Sequence, residues 1–259
     1  MLSFLIINKR IRFALTSAVM TAALIFASFY PDIIGIGWFL VLPALALFLA
    51  YFALGRPGGI EAVTLLLLPA ILALGAGLGQ YFYPNFQEVL NIVFWALFAF
   101  TFYMLFLTLN VFRVERLKGE KIPLEKAARP ASFVLSFLAA FLLLTAVYKL
   151  ELGVLLNAVL VFCTGFFLSL NLFWFSSLTD LFNRKQFIGA LFVGLGTAQV
   201  SLAFSFFPWE AHLRGLSEGV FFYAILGVAR AYFEKHLKYS IVLEYILLSL
   251  AVFLFVRFF

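Results

Sequence analysis

Long apolar runs alternate with short polar gaps along the whole chain, and their length fits helices that cross a lipid bilayer. Nine runs stand out, at about 13–30, 33–54, 60–80, 89–112, 131–148, 154–175, 187–207, 216–233 and 240–258. Each approaches the ~20 mostly apolar residues that a helix needs to cross the hydrocarbon. Backbone N–H and C=O groups find no water in lipid, so a helix, which satisfies them internally, is the form these runs predict. The gaps carry turn chemistry. Gly55-Arg56-Pro57-Gly58-Gly59 reads as a tight reversal, Pro84-Asn85 marks the third connection, and residues 149–153 barely separate the fifth and sixth runs. Short links make consecutive helices antiparallel neighbours. The predicted fold is all-α: a polytopic transmembrane helical bundle forming a single integral membrane domain over 1–259, built of four antiparallel hairpins and a final helix.

The eighth run departs most from this picture. Only 11 uncharged residues separate Glu218 from Arg230, or ~16.5 Å of helix. It crosses if both end charges reach toward the headgroups.

Composition strengthens the membrane reading. Apolar residues make up 65 % of the chain, charged residues 12 %, and the mean hydropathy is +1.11. A soluble domain has about 45–50 % apolar and roughly 25 % charged residues. The net charge of +6 then points to anionic lipid headgroups and away from nucleic acid. Lys9, Arg10 and Arg12 before an apolar run look like the start of a signal peptide, but no small-x-small cleavage site follows at Phe26–Asp32. The segment reads as an uncleaved first span. Cys163 is the single cysteine, so no disulfide framework is expected.

The positions of the charges add a direction. Fifteen of the 18 Lys and Arg residues fall in every second gap: Lys9, Arg10, Arg12, Arg56, Arg113, Arg116, Lys118, Lys121, Lys126, Arg129, Arg184, Lys185, Arg230, Lys235 and Lys238. The other gaps keep Lys149, Arg214 and Arg257, and with the acids counted the two sides carry +8 and −2. Basic residues near span ends favour the cytoplasmic side. The expected arrangement is a multi-pass protein of the cytoplasmic membrane with its N-terminus inside and C-terminus outside. Tyr30, Tyr81, Tyr83, Tyr148 and Trp209 fall at the predicted outer boundaries, and Trp174, Tyr232 and Tyr239 at the inner ones.

Candidate chemistry is sparse. No charged residue or histidine lies near the centre of a predicted span, which argues against an ion-coupled transporter, since intramembrane charges usually mark ion paths. The deepest polar residues are Asn91, Asn157, Thr164, Thr197, Gln199 and Ser201; if they met in one cavity they would line a transport or lipid path. Glu210, His212, Arg214 and Glu218 form an outer loop, Pro208–Arg214 and beyond, with some ligand character. Neither H-E-x-x-H nor paired Cys or His is present, so no metal and no cofactor is expected. The stretch from Arg113 to Pro130 reads as a surface-lying inner loop whose Arg113, Arg116, Lys118, Lys121, Lys126 and Arg129 contact anionic lipid, or dock a cytoplasmic partner. Asp180 and Arg184 are spaced as an i,i+4 pair.

Two patterns bear on assembly. Phe106-Leu-Thr-Leu-Asn-Val-Phe112 and Phe167-Leu-Ser-Leu-Asn-Leu-Phe173 match position by position, as in a duplicated hairpin. Gly75 with Gly79, and Ala190 with Gly194 and Ala198, form small-residue faces that let helices approach closely, within the chain or in a homo-oligomer. Pro43 and Pro69 lie inside predicted spans and would kink them.

The run Phe106–Phe133, ending in Lys126-Ala-Ala-Arg-Pro-Ala-Ser-Phe133, resembles uncharacterised bacterial multi-pass membrane proteins. That resemblance implies a bacterial inner membrane and no particular activity. The leading expectation is a non-enzymatic membrane component or partner-binding subunit. The alternatives are a transporter or lipid-handling protein without an ion-coupling carboxylate, and a membrane enzyme acting on lipid headgroups through the outer-loop residues.

Overall fold

The computed structural model describes residues 8–29, 37–83, 88–119, 123–179 and 181–258. Among them are nine helices and no strand: α1 (Lys9–Phe29), α2 (Trp38–Ala53), α3 (Gly59–Phe82), α4 (Glu88–Lys118), α5 (Glu125–Lys149), α6 (Val154–Ser177), α7 (Arg184–Phe204), α8 (Ala211–Phe233) and α9 (Tyr239–Phe258). All nine coincide with the predicted runs. Eight are long and apolar enough to cross a membrane. The exception, α2, has 16 residues and so extends ~24 Å, short of the ~30 Å hydrocarbon. The chain is an all-helical, multi-pass type of membrane protein.

Three helix ends lie five or more residues outside the apolar runs. α4 continues to Lys118, α5 starts at Glu125, and α8 starts at Ala211. The hydrogen-bond ladder of a helix does not stop where apolar residues do, and charged residues such as Arg, Lys and Glu are good helix formers. One expectation is corrected as a result. Arg113–Pro130 is not one surface loop, because Arg113, Arg116 and Lys118 belong to α4, while Lys126 and Arg129 belong to the start of α5. The eighth helix is longer than its apolar run: its 23 residues extend ~34 Å, with Arg214 and Glu218 inside it. Tyr30, Asp32, Pro84-Asn85, Lys121 and Asp180 lie outside the described residues.

The chain divides into two compact units, Met1–Leu135 and Ser136–Phe259. In the first, α1 packs on α2 and α4, and α2 packs on α3. Phe13, Phe102, Phe106 and Phe112 are fully buried there, with the Phe13 and Phe106 rings stacked at 5.9 Å. Both α2 and α3 continue through their internal prolines, Pro43 and Pro69. Gly55 and Arg56 take positive φ of 83° and 62° in the reversal between α2 and α3, where glycine carries no Cβ penalty.

In the second unit α6 and α7 run along each other, α7 packs on α8, and α8 on α9. Small residues permit this closeness. A Cβ on Gly194 would stand 3.1 Å from the Phe162 carbonyl oxygen, and one on Gly165 would meet the Thr197 hydroxyl. Ala190 is fully buried. The Ala190–Gly194 face therefore serves packing within this unit, where lipid supplies no apolar drive between helices. Asn183 begins α7 with a capping box: its side chain accepts from Lys185 N, and Gln186 Oε1 accepts from Asn183 N at 2.8 Å.

The repeated heptapeptides occupy unlike surroundings. Phe106 is fully buried, whereas its counterpart Phe167 is 46 % exposed. Asn171 is buried and Asn110 half-buried.

Candidate functional site

Helix α8 opens with Ala-His-Leu-Arg-Gly-Leu-Ser-Glu, and its 3.6-residue period places Arg214 and Glu218 on one face, four residues apart. Glu218 is the eighth residue of α8, ~10 Å along the helix. Its side chain is 1 % exposed. The sequence reading set this carboxylate at the outer end of the eighth run, grouped with the outer-loop residues; the structure places it two turns into a helix and buries it.

Arg214 meets that carboxylate directly, with Nε 3.2 Å from Glu218 Oε1. Its Nη2 donates to the Ser201 carbonyl at 2.8 Å. Tyr148, the penultimate residue of α5, supplies the other half. Its hydroxyl donates to Glu218 Oε2 at 2.5 Å and lies 2.7 Å from Ser201 Oγ. The Arg214 guanidinium also sits over the Tyr148 ring, 3.9 Å from its centroid, a close cation–π contact. Three helices are thus tied by one cluster with a formal charge of zero.

Glycine lets α8 reach this position. A Cβ on Gly215 would come within 2.8 Å of the Thr145 backbone nitrogen, so α5 and α8 touch backbone to backbone one turn from Tyr148. Gly219 repeats the contact against Phe141 more loosely, at 3.7 Å from its Cα.

Chemically, a tyrosine hydroxyl between a serine and a carboxylate resembles a proton-relay arrangement. Here both carboxylate oxygens accept from protein donors, Arg214 donates to protein acceptors, and Ser201 is 1 % exposed. A substrate would have to displace one of these bonds to engage the cluster. Buried charge that is paired and hydrogen-bonded in this way holds helices together.

The other predicted residues are scattered. Glu210 and His212 form a separate pair at 3.4 Å with both side chains largely exposed. Of the predicted polar path, Ser201 alone joins the cluster. Asn91 accepts from Gln80 Nε2 at 3.3 Å in the first unit. Thr164 and Thr197 donate to carbonyls of their own helices, Leu160 and Gly194 among them. Asn157 is buried, and Gln199 is exposed. No described pocket brings these six together.

In the first unit, Arg113 and Arg116 turn inward. Arg113 Nε lies 3.4 Å and Arg116 Nη1 3.2 Å from the two oxygens of Glu61. Arg113 Nη2 also donates to the Gly55 carbonyl at 2.8 Å. These two cations tie α4 to α3, and Arg113 ties it also to the α2–α3 turn. Arg129 pairs with Glu125 one turn earlier on α5. Lys118 and Lys126 are exposed. Among the described residues no group of three or more His, Cys, Asp or Glu stands ready to hold a metal ion.

Sequence reasoning missed Tyr148, which it read only as a boundary aromatic. The available signal was the i,i+4 spacing of Arg214 and Glu218, which extends the helix to Ala211 and puts both on one buried face.

No curated protein and no solved structure matches the chain. Residues 13–259 match the family described as "Protein of unknown function (DUF5656)", and the chain belongs to that family.

Proposed function

We propose that this chain is a non-enzymatic component of a bacterial cytoplasmic membrane, a structural or partner-binding subunit, with its N-terminus inside and its C-terminus outside. The observation that carries the non-enzymatic reading is the closure of the Tyr148–Ser201–Arg214–Glu218 cluster: each oxygen of Glu218 already accepts from a protein donor, and the carboxylate is buried. Such a group secures helices and offers nothing to a headgroup. The distribution of basic residues supports the orientation.

Two measurements test this reading. The purified chain is incubated with defined phospholipids, which are expected to stay unchanged; turnover abolished by Glu218→Gln, in a protein that still folds, would establish the headgroup enzyme instead. Reporter fusions after Phe259 and within residues 119–124 are expected to read outside and inside respectively. A cytoplasmic readout after Phe259 would reverse the orientation of α9.

A further inference from the structure

The second unit holds a groove of about 550 Å³ between α7, α8 and α9, lined by residues such as Phe192, Ala224, Val228, Val242, Tyr245 and Phe253. Its volume falls within the ~300–1,000 Å³ of small-molecule sites. The lining is apolar apart from Ser249 and the Tyr245 hydroxyl, so the space suits an apolar body.

Each end of the groove differs. One end is closed by a ring cluster, in which Phe204 stands 4.9 Å from Trp209 and 5.9 Å from Phe253, and Trp209 stands 5.5 Å from Phe253. Val228 and Val242 are the lining residues nearest in sequence to the α8–α9 turn. There Lys235, His236 and Lys238 are all exposed. Glu234 is shared by Arg230 at 2.7 Å and His236 at 3.3 Å, so it leaves the two lysines unneutralised. Neither lysine forms an ion pair among the described residues. Glu244, exposed on α9, is the other acidic group nearby in sequence. Lys238 lies immediately before α9, and the lining residue Val242 donates its N–H to the Lys238 carbonyl at 3.4 Å; α9 presents its free N-terminal N–H groups at this turn.

The length is also informative. From Lys238 to Phe253 is 15 residues, or ~22 Å along a helix. Half a bilayer, headgroups included, is ~20–22 Å. A single phospholipid therefore fits end to end, with its charged head at the turn and its chain stopped by the aromatic cluster.

We infer that this groove holds one acyl chain of an anionic phospholipid whose phosphate is bound by Lys235 and Lys238. The turn supplies the headgroup selectivity and the groove supplies the residence time.

Native mass spectrometry of the full chain, released from detergent after incubation with phosphatidylglycerol or with phosphatidylcholine of the same acyl chains, tests this. Expected is one retained phosphatidylglycerol and little phosphatidylcholine. The Lys235→Gln/Lys238→Gln variant should weaken retention roughly 25-fold. Leu250→Trp, at a groove residue that is half exposed and so tolerant of bulk, should weaken retention of both lipids while leaving the melting temperature unchanged. Equal retention of the two lipids, or no loss in the double lysine variant, would overturn the headgroup site. Undiminished retention in a folded Leu250→Trp protein would place the lipid elsewhere. A lipid-free dimer would show that a second copy covers the groove.

Discussion

The Tyr148 hydroxyl lies 2.5 Å from a carboxylate oxygen of Glu218, a residue 70 positions further along the chain. The bond joins α5 to α8 at a point where both side chains are buried. Interhelical hydrogen bonds in membranes average about 0.6 kcal/mol, whereas bonds to charged groups contribute about 1.5–3 kcal/mol. Burial and charge put this one near the upper figure. Tyr148→Phe should therefore destabilise the protein by about 2 kcal/mol, measured as loss of helical signal on titration with SDS or urea. A loss under about 0.5 kcal/mol would mean that the carboxylate finds another donor.

Arg214 and Glu218 should behave as a unit. Removing one member of a buried pair strands the other and costs about 3–5 kcal/mol. Glu218→Gln and Arg214→Met are each expected to destabilise by that order, and the double variant by less than either. A double-mutant cycle on the same unfolding assay reads the coupling directly. Additive losses would show that the two charges act independently.

The contact between Gly215 and Thr145 involves the Thr145 backbone as well as its hydroxyl, so swinging the side chain aside does not relieve it. Gly215→Ala forces α5 and α8 apart and should cost about 1–3 kcal/mol or more. Gly79 is the control: a Cβ there meets nothing within 4 Å, and Gly79→Ala should stabilise by up to about 1 kcal/mol through helix propensity. Thermal melting of the two variants in one detergent compares them; equal shifts would contradict the packing at Gly215.

Glu61 counters two arginines in the first unit. Glu61→Gln should destabilise by about 3–5 kcal/mol, and adding Arg113→Met should recover part of the loss. Loss of helical signal on titration with SDS is a convenient monitor, because the pairs tie α3 to α4. A Glu61→Gln protein as resistant as the parent would show that these charges sit near enough to water to be solvated.

The apolar runs alone determined that the chain is helical, where the nine helices of the described residues lie, and that most of them are long enough to cross a membrane. That much follows from the local requirement that backbone groups in lipid bond within their own segment. Helix ends were less legible, since Arg113, Arg116, Lys126 and Arg214 read as loop charges by the rule that membrane spans are uncharged. The tertiary structure alone decided that these ends are helical and that Arg113 and Arg116 face Glu61. It also decided that Tyr148, Ser201, Arg214 and Glu218 meet. A charge is tolerated inside a span when a partner from another helix compensates it, and pairing across 70 residues leaves no periodic trace in the sequence. The predicted polar path shows the reverse: its residues share depth, but depth is a property of one helix, and convergence depends on how the helices are rotated against one another.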